Sequence, residues 1–285
     1  MKNIDIKFTR KANKTFNLIW GMICDKFLSM MQSVEKGFVH YKKGKYTKAI
    51  AIYTKAIKDT SYNHMAYRAR GQAYCAIEKY KEALKDYTKS IELYPFDADT
   101  YYSRGWVYET LGKHKEAIKD YQIAIEINPK DYSYHLNLGI IYTEQRKVKK
   151  AIIEFTEAIK VNPKSYKGYA NRAITYGQQK MTGKALADYD KALKLNPSNV
   201  RCLNNRGIIY KEKGLYGKAI DDYSKAIKTN PKYAKAYYNR GTIYRIQKEY
   251  AKAIKDYTKA LKLEPSYRKE KGLINRLKNE LKGIK

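Results

Sequence analysis

The sequence predicts an all-α fold in which short helical units repeat and stack into a solenoid, and three observations carry that expectation. A 34-residue period runs from Met30 to Tyr267 without insertion or deletion. Counting each copy from its first residue, position 8 is small (Gly37, Gly71, Gly105, Gly139, Ala173, Gly207, Gly241) and position 20 is alanine in all seven copies, Ala49 through Ala253. Position 24 is aromatic throughout (Tyr53, Tyr87, Tyr121, Phe155, Tyr189, Tyr223, Tyr257), and position 32 is proline in six copies, Pro95 through Pro265.

Taken in chain order, residues 1–29 come first and place Phe16, Ile19, Trp20, Ile23 and Phe27 on one helical face. That face suits either a cap on the first repeat or an interfacial helix on a membrane. The apolar run Phe16–Cys24 is nine residues long, too short to span a bilayer. No small-residue cleavage site follows it, so export is not expected. Within a repeat, "YAKAIKDYTKALKL" sets Tyr250, Ala253, Ile254, Tyr257 and Leu261 at helical spacing as one apolar stripe. Small residues at positions 8, 20 and 27 let two helices approach closely, and the aromatic at 24 fills the space beside them. Proline at 32 cannot continue the second helix, so the chain turns there. One repeat cannot cover its own stripe, and neighbours can, so the copies stack. Residues 268–285 close the chain with Leu273, Ile274, Leu277, Leu281 and Ile284 along one edge and basic residues elsewhere, the composition of a solvating cap helix.

Position 7 is arginine in five copies: Arg70, Arg104, Arg172, Arg206 and Arg240. Each of these has aspartate at position 23 (Asp86, Asp120, Asp188, Asp222, Asp256), whereas the copies with Lys36 and Leu138 carry Ile52 and Glu154 there. The covariation predicts an Arg–Asp pair between the two helices of a repeat, a buttress more than a ligand site.

These positions together resemble the tetratricopeptide repeat family, whose unit is a 34-residue helix–turn–helix. The resemblance covers seven copies, residues 30–63, 64–97, 98–131, 132–165, 166–199, 200–233 and 234–267. It is weakest in the first, which has His40 where the others have tyrosine and Ser61 where they have proline. The resemblance implies a right-handed superhelix whose first helices line a concave groove, with positions 2, 5, 6 and 9 facing it. At position 6 stand Asn137, Asn171, Asn205 and Asn239, in four successive copies. An asparagine offers donors and an acceptor, so this ladder is expected to hold the backbone of an extended peptide regardless of its sequence. One turn earlier, Lys167, Arg201 and Lys235 favour an acidic peptide. Upstream, Arg68, Tyr102 and Trp106, with Leu136 and Ile140, are expected to make the groove more apolar. The family's clamp for chaperone C-terminal carboxylates is not matched. Positions 5 and 9 read Ala170 and Ile174 or Asn204 and Ile208, and position 6 never carries arginine.

The expected function is therefore a non-catalytic scaffold that binds a protein or peptide partner. Four histidines fall in different copies, and no phosphate loop, metalloprotease helix or nucleophile elbow occurs. No catalysis, cofactor or metal is expected. The formal net charge of +31 leaves RNA or another polyanion as an alternative partner. That charge comes from 47 lysines and 12 arginines spread over outer helix faces, without aromatic–basic modules. A peripheral membrane adaptor acting through residues 1–29 is a further alternative. Cys24, Cys75 and Cys202 form neither a disulfide framework nor a metal spacing, which suits a cytoplasmic protein.

Overall fold

A computed structural model of the chain describes residues 28, 29 and 31–283, and among them it contains helices and no strand. Two compact units divide the chain, one ending at Pro129 and one beginning at Lys130. The N-terminal unit holds α1 (31–42), α2 (Tyr46–Asp59), α3 (His64–Ala76), α4 (Tyr80–Leu93), α5 (Ala98–Thr110) and α6 (His114–Ile127). The C-terminal unit holds α7 (Tyr132–Glu144), α8 (Val148–Val161), α9 (Tyr166–Gln178), α10 (Thr182–Leu195), α11 (Val200–Glu212), α12 (Tyr216–Thr229), α13 (Ala234–Ile246) and α14 (Tyr250–Leu263). A 3-10 turn over Pro265–Glu270 then leads into α15 (Lys271–Gly283). Odd-numbered helices pack on the even-numbered helices that follow them, α3 on α4 through α13 on α14. Within each unit they also touch the next odd helix, as α9 does α11 and α11 does α13.

The small positions explain this close pairing. Ala49, Ala83, Ala117, Ala151, Ala185, Ala219 and Ala253 are all 0% exposed, and the aromatic four residues later is buried in every copy. A Cβ placed on Gly207 would lie 2.7 Å from the Tyr223 ring, so a side chain there displaces a buried aromatic. Gly241 is looser, its nearest atoms being 3.2 and 3.3 Å away.

The turn between the two helices rests on a position that hydrophobic periodicity does not reveal. Position 15 is left-handed in every copy: Gly44, Gly112 and Gly214 have φ near +70°, and Glu78, Arg146, Lys180 and Lys248 lie between 55° and 61°. The backbone closes a Schellman cap there, with Gly214 N donating to Lys211 O at 3.0 Å and Leu215 N to Tyr210 O at 2.9 Å. Second helices stop at an extended residue such as Asn230 or Glu264, just before the proline, as the restriction on pre-proline residues requires.

All five Arg–Asp pairs form, each a two-pronged contact. Arg206 donates from Nε and Nη2 to the Asp222 carboxylate at 2.8 and 2.7 Å, and the other four lie between 2.7 and 2.9 Å. The third prong reaches the preceding repeat. Nη1 of Arg70, Arg104, Arg172, Arg206 and Arg240 donates to Thr54, Thr88, Thr156, Asp190 and Ser224, all at position 25. Each arginine thus ties both helices of its own repeat to the one before. In the fourth copy, where Leu138 replaces the arginine, Glu154 accepts a 2.8 Å contact from the His135 ring instead.

At the C-terminal end, Ile274 and Leu277 of α15 are buried against Ala253 and Tyr257 of α14. Tyr267 stacks on Tyr238 at 4.8 Å between ring centroids. Ile284 lies outside the described residues, as does the face made by Phe16, Ile19, Trp20, Ile23 and Phe27.

Candidate functional site

The odd helices of the C-terminal unit neighbour one another, α7 with α9, α9 with α11 and α11 with α13. That contact brings the position-6 side chains of α7, α9 and α11 together. A cavity of about 370 Å³ opens between α7, α9 and α11, and it collects Asn137, Asn171 and Asn205 with Lys167 and Arg201. Ile140, Tyr166, Ala170 and Ile174 give it an apolar floor, and Asn199 and Cys202 complete one wall. Five residues singled out from sequence therefore share one site. Lys235 is exposed on α13 and, with Asn239, lies outside this cavity.

The asparagines do not all present the same face. Asn171 donates from Nδ2 to the Lys167 carbonyl at 3.0 Å, one turn back on its own helix. Asn205 accepts at Oδ1 from Asn204 Nδ2 at 3.3 Å, and Asn239 donates from Nδ2 to Asn204 Oδ1 at 2.9 Å. Tyr189 hydrogen-bonds to Asn205, and burial pushes its hydroxyl up to about 12. Burial also pushes the Cys202 thiol up to about 11, against the nearby Arg201 and Arg206 charges. Cys202 is thus neutral at physiological pH and lines the wall as an apolar group. The fixed charges at the rim are Lys167 and Arg201, both exposed.

The residues proposed upstream are arranged otherwise. Arg68 Nη1 contacts both carboxylate oxygens of Asp97 at 2.9 and 3.1 Å, with Asp99 at 3.6 Å. Asp97 itself caps the start of α5. Arg68 is thereby engaged in holding α3 to the start of α5. Tyr102 and Trp106 line a separate cavity of about 550 Å³ in the N-terminal unit, with Tyr41, Gln72, Cys75 and Tyr87. Trp106 is 40% exposed and meets Tyr80 edge-on at 6.3 Å, so it forms part of an aromatic wall rather than of the core. Leu136 is buried and, with Ile140, lines the asparagine cavity.

Family models described as tetratricopeptide repeat match residues 98–131, 166–199, 200–233 and 234–267, and 34–58 and 132–165. A TPR repeat model matches residues 71–112. The chain belongs to the tetratricopeptide repeat family. A search of curated proteins gives no match. Among solved structures, the chain is similar to a tetratricopeptide repeat protein from Parabacteroides merdae, at 22% identity over 87% of this chain and 97% of that one, with a TM-score of 0.64. It also resembles the C-terminal part of a TPR repeat-containing protein from Cytophaga hutchinsonii (20% identity, 81% and 95% covered, TM-score 0.67). A third is YrrB, described as a TPR protein with an unusual peptide-binding site (23% identity, 65% and 95% covered, TM-score 0.54). At these identities the likeness concerns the fold.

In this tetratricopeptide repeat protein, sequence reasoning passed over Asn204, Asn199 and Tyr166 as site residues. Asn199 has a local signal, since it is the N-cap of α11 and accepts from Cys202 N at 2.9 Å. Asn204 has none, because position 5 varies freely (Val34, Arg68, Tyr102, Leu136, Ala170, Tyr238) and a single asparagine there does not stand out. Among the described residues, no helix is long and apolar enough to cross a membrane. No group of three or more His, Cys, Asp or Glu among them is placed to hold a metal ion.

Proposed function

We propose that the protein is a non-catalytic cytoplasmic scaffold and that an extended acidic peptide segment of its partner lies along α7, α9, α11 and α13. Residues 30–267 act as seven repeats, and residues 268–285 act as the cap of the last. The observation that carries this reading is the cavity in which Asn137, Asn171 and Asn205 share a wall with Lys167 and Arg201. Amides there serve the peptide backbone, which every sequence has, and the two cations add a preference for carboxylate side chains. A description of YrrB as having a peptide-binding site agrees with this use of the fold.

Fluorescence anisotropy tests the reading, with a labelled glutamate-rich peptide and an RNA oligomer as probes. Changing Asn137, Asn171, Asn205 and Asn239 together to alanine is expected to abolish peptide binding. Charge reversal at Lys167 and Arg201 is expected to weaken it in a salt-dependent way, since exposed charges are screened beyond about 8 Å at physiological ionic strength. Tight RNA binding at that ionic strength, unchanged in the four-asparagine variant, contradicts the proposal and favours a polyanion partner.

A further inference from the structure

Asn204 sits beside the ladder, one residue before Asn205, and is 3% exposed. Its side-chain amide is used at both ends: Nδ2 donates to Asn205 Oδ1 at 3.3 Å, and Oδ1 accepts from Asn239 Nδ2 at 2.9 Å. One buried residue thus joins rungs on α11 and α13. The consequence is chemical. A solvated asparagine turns about its last side-chain bond and offers either its carbonyl or its amino group. Asn239 spends one of its two N–H groups on Asn204, which fixes the orientation of its amide and leaves its Oδ1 to accept a hydrogen bond. Asn205 accepts from Asn204 at one lone pair of its Oδ1, which fixes the orientation of its amide and leaves its amino group to donate, shared with the Tyr189 hydroxyl.

Building on the peptide-groove reading, we infer that Asn204 is a positioning residue that gives these two rungs opposite polarity, with Asn239 accepting a peptide N–H and Asn205 donating to a peptide C=O. The pair is then selective for the amide unit of a backbone, which carries one donor and one acceptor, over ligands that carry acceptors alone. Phosphodiester chains and fully N-methylated peptides belong to that disfavoured class. The selectivity arises without a charged residue, and it is separate from the preference for acidic side chains set at the rim. Two freely rotating asparagines would lack it, since each would adapt to whatever the ligand presents.

Position 5 already tolerates an apolar residue in this protein, because Leu136 occupies it in the fourth copy and is buried there. Asn204→Leu is therefore a folded comparison. Asn204→Asp keeps the acceptor for Asn239 but cannot donate to Asn205, so it isolates the rung on α13. The probes are a fluorescein-labelled glutamate–alanine oligopeptide and its fully N-methylated counterpart, with binding followed by anisotropy on the full chain. Exchange of the Asn239 side-chain amide protons, followed by NMR without ligand, reports the pinning directly.

Wild type is expected to prefer the unmethylated probe by about three- to tenfold, the equivalent of a single net hydrogen bond. Asn204→Leu should lose most of that preference and speed exchange at Asn239, while Asn204→Asp should lose the preference but keep the slow exchange at Asn239. A role confined to stability would lower the melting temperature of Asn204→Leu and leave the preference intact. An unchanged preference in Asn204→Leu, whatever its stability, overturns the inference and leaves the groove reading standing. If wild type binds neither probe, the groove reading fails and takes this inference with it.

Discussion

Gly207 and Gly241 occupy the same repeat position and face the same kind of aromatic ring, yet they should respond differently to a methyl group. At Gly207 the added Cβ would come within 2.7 Å of Tyr223, which is fully buried and has no space to retreat into. Gly207→Ala should cost about 1–3 kcal/mol in chemical denaturation, after the helix-propensity gain is set against the clash. Gly241→Ala, with contacts of 3.2 and 3.3 Å, should fall within about 1 kcal/mol of neutral. Ala173 already occupies this position in the fifth copy and is fully buried. Equal losses at the two glycines would show that ring contact does not set the tolerance. The arginines invite a second test at this scale. Arg206 and Asp222 should couple by about 0.5–3 kcal/mol in a double-mutant cycle, because removing either leaves the other without its two-pronged partner. Asp190, which takes the third prong, has a side chain that is 57% exposed, so its truncation should cost no more than about 1 kcal/mol. Simple additivity at Arg206 and Asp222 would return that arginine to the residues free to bind a ligand.

At the scale of elements, the turn between paired helices holds stability that the sequence leaves unclaimed. Lys248 is left-handed, where a Cβ is penalised, and its equivalents Gly44, Gly112 and Gly214 are not. Lys248→Gly should therefore raise the thermal midpoint, by about 0.5–1 kcal/mol once the greater freedom of an unfolded glycine is subtracted. A lower midpoint would mean that the lysine side chain contributes more than its backbone costs. The C-terminal helix makes a complementary case. Removing residues 264–285 uncovers Ala253 and Tyr257, so the shortened chain should stay helical by circular dichroism but melt earlier and lose solubility. Helix pairing was legible in the sequence because stripe, small positions and proline recur with a strict period. The left-handed position was not, since glycine, glutamate, arginine and lysine all occur there and conformation, not chemistry, is what they share. The arginine's third prong was also hidden. Its acceptors are threonine, aspartate and serine in the preceding repeat, and an oxygen at the right distance suffices whichever residue supplies it.

For the whole molecule, the proposed role depends on a few polar groups set among many charges. Lysines such as Lys225 and Lys259 are exposed on second helices, and a net charge of +31 draws any polyanion by long-range attraction. That attraction is steep in salt and indifferent to the asparagines, whereas a backbone grip weakens little as salt rises. The row of asparagines was legible from recurrence at one repeat position. How each amide is oriented was not, because orientation depends on neighbours such as Asn204 and Tyr189 that only packing brings close. Arg68 shows the same limit from the other side. Its charge and position suit a groove, but Asp97 at the N-cap of α5 claims it. The most direct measurement of the central claim is a side-chain amide NMR titration of the full chain with a glutamate-rich peptide. The account predicts that the resonances of Asn137, Asn171, Asn205 and Asn239 shift together with one affinity, while groups around Lys225 and Lys259 stay unchanged. Shifts confined to the lysine-bearing second helices, with the four asparagines silent, would contradict it.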